Sequence, residues 1–476
     1  MNLNQTLQEK YPHLEVSVLK LSEVKKNIDF RIDDSFWTMK LIYNNKLNYK
    51  KIGECLLKSQ YGISINMNEG GDGIPIYRMN DIDNMLCNFE VKKYALIDKN
   101  ELQTFRLNYG DVLFNRTNSY EFVGRTGIFY NNRENFVFAS YLVRLVCNKE
   151  ILLPEYLTVF LNTHIGKKEI RRRARPSINQ TNVNPEELKE IKIPIFPMEF
   201  QLEIQNLVKD SHKALEESKE LYKKAEETLY LELGLDPKNP LQSLLDSKTN
   251  NPTNSPNISI HTLKESFLKT GRLDSEYYQS KYEDIEKFIK SYPNGYDSFS
   301  SIINNKDTNF TPKNNENYSY IELANIGNNG NISEPISDLG KNLPTRARRI
   351  VSKGDVIISS IEGSLSSCAL ITQEFDKHLV STGFFVLNSK LLNGETLLVM
   401  FKSQIFQEYL KKFPSGTILC AINKEELSKI LIPKIDSTTQ EKIAKYIQES
   451  FNLRKKSKQL LDNAKIKVEE QIQGKI

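Results

Sequence analysis

The sequence has no GxxxxGK[ST] phosphate loop, and its most glycine-rich stretch, "GGDGIP" at Gly70–Pro75, lacks GxGxxG spacing and reads as a loop. No Asn/Asp-Pro-Pro-Tyr/Phe methyltransferase motif occurs, and no Asp…Glu-x-Lys nuclease signature. The five cysteines (Cys55, Cys87, Cys147, Cys368 and Cys420) lie far apart with no CxxC or CxH spacing. That excludes a sequence-local zinc site and suits free thiols in a reducing compartment. The five histidines (His13, His164, His212, His261 and His378) are scattered, and His164, His212 and His378 sit in stretches with the look of helix or strand surface rather than of a catalytic group. No run approaches membrane-spanning length, and the opening "MNLNQTLQEKYPHLEV" has no signal-peptide apolar core, so a cytoplasmic location without membrane contact is expected. Lys+Arg 65 against Asp+Glu 60 gives a net charge of +5, which excludes a polybasic tail but permits local basic patches. These absences lead us to expect no catalytic residue, no cofactor and no metal.

What the sequence does contain is repetition. A chain of 476 residues with 39% hydrophobic and 10% aromatic content suits two to four domains with real cores. "NPEELKEIKIP" (Asn184–Pro194) returns as "NKEELSKILIP" (Asn423–Pro433), 239 residues on, with seven of eleven positions identical. Gln201 and Gln440 each lie seven residues past the closing proline. Upstream, "GDVLFNRTNS" (Gly110–Ser119) parallels "GDVIISSIEG" (Gly354–Gly363), and "RIDDSFW" (Arg31–Trp37) parallels "RLDSEYY" (Arg272–Tyr278). Landmarks in one order at nearly one spacing mark a tandem duplication.

Each half has the same layout. Short apolar runs such as "VLFNRT", "NFVFASYLVRLVC" and "GFFVLNS" read as strands, with a helix or two over "PEYLTVFLNTHIGKKEIRRR". The duplicated Glu186/Glu187 and Glu425/Glu426 read as the polar first turn of a short helix. The prolines of "IKIPIFP" then close the globular part. A long helix without internal proline or glycine follows, Glu199 to about Leu233 and Thr438 to about Gln473. Val208, Ser211, Leu215, Ser218, Tyr222, Ala225 and Leu229 step by three and four, as do Ile447, Ser450, Arg454, Ser457, Leu461, Ala464 and Val468. Small residues recur in phase, which predicts that the two helices pack on each other rather than each on its own domain. "DSKTNNPTNSPN" (Asp246–Asn257) reads as an exposed linker. The expected divisions are 1–198, a helix over 199–236, a linker over 237–258, then 259–437 and a helix over 438–476.

Two kinds of segment carry recognition chemistry. "KKEIRRRAR" (Lys167–Arg175) holds six cations, with Arg171, Arg172, Arg173 and Arg175 as phosphate-binding candidates. The following "PSINQTN" supplies Ser177, Asn179 and Gln180, side chains that can read base edges. Its second-half parallel, "KKFPSGTILCAI" (Lys411–Ile422), offers Lys411, Lys412, Ser415 and Thr417. The loop after each "GDV" strand is the other candidate. In "NRTNSYEFVGRTG" these are Arg116, Asn118, Tyr120 and Arg125, and in "SSIEGSLSSCA" they are Ser360, Glu362 and Ser364, where Glu362 can accept from cytosine N4. Tyr61, Arg346 and Arg348 complete the set. The bland alternative for the basic segment is a solvated helix face. Yet the scaffold words match between halves while the loop words differ, as two modules reading different sequences on one frame would require.

On these landmarks the chain resembles the specificity (S) subunit of a type I restriction–modification system, over nearly its whole length. The resemblance implies an α+β fold of two mixed α/β target-recognition domains, inverted, with two antiparallel conserved helices as a coiled-coil spacer. It implies a phage-defence DNA-binding subunit without a catalytic centre, each domain binding one half of a bipartite asymmetric double-stranded DNA site. Its implied partners are two modification (methyltransferase) subunits docked on the helices and, through them, restriction (translocase/endonuclease) subunits. "IPKIDSTTQ" departs from the family's usual "IPxPPxxEQ" in lacking the second proline. Two other readings follow from the residues. One is the recognition part of a fused, type IIG-like restriction–methylation enzyme, which requires catalytic motifs that are missing ahead of Met1. The other is a repeat-built protein-interaction scaffold, which steep salt dependence of DNA binding would exclude.

Overall fold

Gly110 and Gly354 take φ of 88° and 87°, a left-handed conformation that glycine adopts without Cβ strain. In both copies the next residue closes the turn with its carboxylate. Asp111 accepts from Asn108 N at 2.9 Å, and Asp355 from Ser352 N at 2.7 Å. A strand buried on both faces then starts, Val112–Asn115 and Val356–Ser359, which explains the unbroken apolar runs "VLF" and "VII".

The computed structural model describes residues 3–14, 16, 18–39, 41–131, 135–246, 260–327, 329–416 and 420–474. The expected linker lies, beyond Asp246, outside the described residues, as does Thr417. The fold is α+β, and the chain divides into two compact units, Met1–Leu215 with Lys455–Ile476, and Glu216–Arg454. The division falls inside both long helices.

In the first unit a six-stranded sheet runs in the order 56–61, 142–147, 112–115, 126–128, 86–87, 82–83. Its first three neighbouring pairs are antiparallel, with Val143 opposite both Tyr61 and Phe114. In the second unit the corresponding sheet runs 303–305, 384–389, 356–359, 368–370, again antiparallel. A two-stranded ribbon closes each globular part, Tyr49–Lys51 with Lys192–Pro194 and Tyr296–Ser298 with Leu431–Pro433. The stretch expected to hold a helix or two is two, Pro154–Asn162 and His164–Arg173. Thr163 ends the first and caps the second by accepting from Gly166 N at 3.1 Å. Ser403 does the same between Gly394–Lys402 and Gln404–Leu410.

The landmark residues are structural ties. Arg31 is buried and donates to Asp33, to the Arg173 carbonyl at 3.0 Å and to Glu187 at 3.3 Å. Arg272 holds Asp274 and the carbonyls of Phe413 and Pro414 in the same way. The Arg31 and Arg272 guanidiniums, by hydrogen bonding, hold the Asp33 and Asp274 carboxyls below the usual carboxylate range. Gln201 accepts from Leu153 N at 2.9 Å and donates to the carbonyls of Ile151 and Phe196. Gln440 repeats this with Asn393 N at 2.9 Å and the carbonyls of Leu391 and Ile435. Each glutamine fastens a long helix to the globular part before it. Asn184 and Asn423 cap the short helices Pro185–Lys189 and Lys424–Lys429, whose first turns hold the paired glutamates.

The long helices are Met198–Glu232 and Ser437–Gln473. In the first unit Ser211 Oγ lies 2.8 Å from Ser457 Oγ, and Ile204 and Val208 share a core with Leu461, Ala464 and Val468. In the second unit Ser218 Oγ lies 3.0 Å from Ser450 Oγ, and Tyr222, Ala225 and Leu229 share a core with Ile443 and Ile447. Partners descend on one helix as they ascend on the other, so the pairing is antiparallel. Buried serines at the seam leave little between the backbones but hydroxyls.

Candidate nucleic-acid interface

In the first unit the segments Arg175–Ser177 and Gln180–Asn182 form a hairpin. Its second strand pairs with Thr117–Asn118, placing Thr181 opposite Asn118 and Asn182 opposite Thr117. Thr117 Oγ1 donates to Asn182 Oδ1 at 2.6 Å, and Val183 N donates to the Arg116 carbonyl at 2.9 Å. Two candidate loops some sixty residues apart thus become one three-stranded surface.

Aromatic rings and cations interleave around it. The Arg116 guanidinium lies 5.1 Å from the Tyr61 ring centre, Arg171 lies 6.0 Å from Tyr120, and Arg125 lies 4.1 Å from Phe122. Tyr61, Tyr120, Phe122 and Tyr141 are all exposed large side chains. Tyr141 meets the patch through its carbonyl, which accepts from Arg116 N at 3.0 Å. Desolvation by surrounding protein, with repulsion from Lys465, Arg171 and Arg125, holds the Lys167 ammonium below its ordinary value. Burial is the larger cause, and Glu469 partly offsets the cations, but Lys465, Arg171 and Arg125 gather positive charge beside Lys167. Stacking rings beside guanidiniums suit nucleic acid.

The four candidate arginines separate. Arg171 is exposed. Arg175 is half-exposed and bridges Asp29 and, at 3.2 Å, Glu187. Arg172 stacks 4.2 Å from the Phe36 ring centre and donates to the Phe36 carbonyl at 2.6 Å. Arg173 is buried against Glu169 and belongs to the interior. Ser177, Asn179 and Gln180 are exposed on the hairpin, with Asn179 at φ 64° in its turn.

The second unit repeats the joint at equivalent positions. Ala421 bridges Ile361 and Ser415, as Asn182 meets Thr117 in the first copy. Glu362 N donates to the Cys420 carbonyl at 3.0 Å, and Ile422 N to the Ser360 carbonyl at 2.8 Å. Ser360 Oγ donates to Gly383 O at 3.0 Å, while Arg346 O accepts from Thr382 N at 2.9 Å, which brings Arg346 to the same side. Glu362 and Arg346 are exposed, and Ser364 is tied 2.8 Å from Ser359. Arg348 donates to its own turn at Thr345 O, 2.7 Å away. Lys411 is exposed and paired to Glu408 at 2.7 Å. Lys412 is 11% exposed, paired with Glu286 and stacked 5.0 Å from the Tyr277 ring centre, so it too belongs to the interior.

Phe122, Tyr141, Lys167 and Lys465 join the patch although none was singled out in sequence. Phe122 and Lys167 lie inside segments already marked. Lys465 comes from the far helix, and only its charge pointed to it. Among the described residues no group of three or more metal-ligating side chains occurs, and no helix is long and apolar enough to cross a membrane.

Residues 64–227 match the family model for the type I restriction modification DNA specificity domain. A Methanocaldococcus jannaschii protein named as the MjaX specificity subunit of a type I restriction enzyme is 22% identical over 415 residues, 86% of this chain and 88% of its own. The EcoKI specificity subunit of Escherichia coli is 27% identical over 161 residues, 33% of this chain and 34% of its own. The crystal structure of an S subunit of a type I restriction–modification system from M. genitalium aligns with 91% of this chain and 97% of its own, at 14% identity and TM-score 0.42.

Proposed function

We propose that this chain, a type I restriction–modification specificity subunit by its domain match and its alignments, reads duplex DNA with two modules and carries no catalytic centre of its own. Residues 1–198 read one half of a bipartite, asymmetric site and residues 259–437 the other. The observation that supports this most is the repeated loop joint. Asn182 meets Thr117 and Ala421 meets Ile361 at corresponding positions, yet the exposed side chains around the two joints differ. A shared frame carrying different hydrogen-bonding groups is what reading two different base sequences needs.

The long helices space the modules and receive two modification subunits, through which restriction subunits join the complex in the cytoplasm. Replacing residues 259–437 with the matching segment of a relative, and mapping methylated bases in a genome expressing the hybrid with its modification partner, tests the assignment. One half of the methylated site should change. A change in both halves rejects the two-module reading.

A further inference from the structure

The tip of the first unit's hairpin carries a side chain that its turn does not require. Ser177 pairs with Gln180, which leaves Ile178 and Asn179 as a two-residue tip. Asn179, at φ 64°, is a residue that turns accommodate readily. Isoleucine is β-branched, stiff and normally found packed within strands. Ile178 is nonetheless 91% exposed. A lone exposed apolar residue is ordinary on a protein surface, but this one is held in a particular setting. The ribbon behind it is braced by Thr117 and Asn118 on one side and by the pairing of Arg175 with Asp29 and Glu187 on the other. Its immediate neighbours, Ser177, Asn179 and Gln180, are exposed hydrogen-bonding groups.

A two-stranded ribbon has the width that the major groove admits. Among the base edges in that groove, thymine alone adds a methyl group to its polar atoms. An isoleucine set among amides and a hydroxyl matches that combination, whereas a phosphate contact has no use for an apolar tip. We infer that Ile178 is a specificity-determining residue whose side chain packs on the 5-methyl group of one thymine in the half-site read by residues 1–198. The inference rests on the DNA-reading proposal above.

The test uses the full chain with its modification subunits and a duplex carrying the target located by methylation mapping. Each thymine of the target is replaced singly by deoxyuridine, which removes only the methyl. The wild type should lose about fourfold in affinity at one position of that half-site, the loss expected for one buried methyl. Ile178→Ala should bind the unmodified duplex weaker by about the same factor and lose nothing further at that position. Ile178→Val should keep the sensitivity. If the wild type binds its target with steep salt dependence but no deoxyuridine in that half-site matters, the inference is overturned and the DNA reading stands. Undiminished sensitivity in Ile178→Ala overturns it equally. If the wild type fails to distinguish its target from unrelated duplex, the DNA reading itself falls.

Discussion

Ser218 Oγ and Ser450 Oγ lie 3.0 Å apart, both wholly buried, and Ser450 Oγ also reaches the Ser218 carbonyl at 2.7 Å. There is room here for a hydroxyl and little else. Ser450→Ala should cost about 1 kcal/mol, the net worth of a hydrogen bond. Ser450→Leu should cost more, about 1–3 kcal/mol from overpacking on top of the lost hydrogen bond, while Ser218 Oγ keeps its bond from Arg454 Nε at 2.9 Å. Urea unfolding midpoints of the two variants measure the order. A leucine variant as stable as the alanine one would show that the helices do not approach closely at this point.

The glutamine ties make a paired prediction. Gln201→Ala and Gln440→Ala each leave two carbonyls and one amide without their side-chain partner, buried at Leu153, Phe196 and Ile435 and part-buried at Ile151, Leu391 and Asn393, for about 1–3 kcal/mol of lost stability, the larger loss at Gln201. The first should loosen hydrogen-exchange protection in Met1–Leu215 and the second in Glu216–Arg454. Loss of protection in the wrong unit, or in neither, would remove these residues as fasteners.

Arg171 and Arg173 differ by two positions and should differ in kind. Arg171→Ala should weaken binding to all duplexes and lower the slope of log affinity against log salt by about one. Arg173→Ala leaves the buried Glu169 carboxylate without its counter-charge, with the Tyr43 hydroxyl still donating to it, and should cost about 3 kcal/mol in stability. Filter binding across a salt series, beside thermal unfolding, separates them. An unchanged slope for Arg171→Ala would take that residue off the DNA.

If helix length sets the gap in the target, both helices must grow together. Four residues added between Glu220 and Leu221, and four between Ile447 and Gln448, keep the antiparallel partners in step on either side. Each insertion adds about 6 Å, roughly two base pairs of rise. Methylation mapping should show both half-sites unchanged and the gap about two base pairs longer. An active variant that still modifies the original spacing would end the ruler account.

Much of this frame was legible because it is local and written twice. The helices start within a residue of Glu199 and Thr438 and end at Glu232 and Gln473, short of the expected divisions at 236 and 476, and the in-phase serines proved to be the seam. The long-range ties were harder to read. Arg31 and Arg272 looked like signposts, while their work is to hold carbonyls some 140 residues away. Glu187 looked like a polar helix turn and is also the buried counter-charge of Arg31. The basic segment hid a helical period. Counting charges could not tell that Arg171 faces out while Arg173, two residues on, faces Glu169. Lys412 likewise owes its burial to Glu286, a partner 126 residues distant.

The serine pairs have one more consequence. Under the 239-residue offset, Ser211 maps to Ser450 and Ser218 to Ser457. Each hydrogen-bonded pair therefore joins position 211 of one copy to position 218 of the other. A single helix sequence holds both partners of its own contact, the self-complementarity of an isologous dimer. On the two-module reading proposed above, a chain of half this length is expected to pair with itself and to read a palindrome. On that reading, joining two such halves in one polypeptide would keep both partners of the contact together and leave each half free to diverge toward its own half-site.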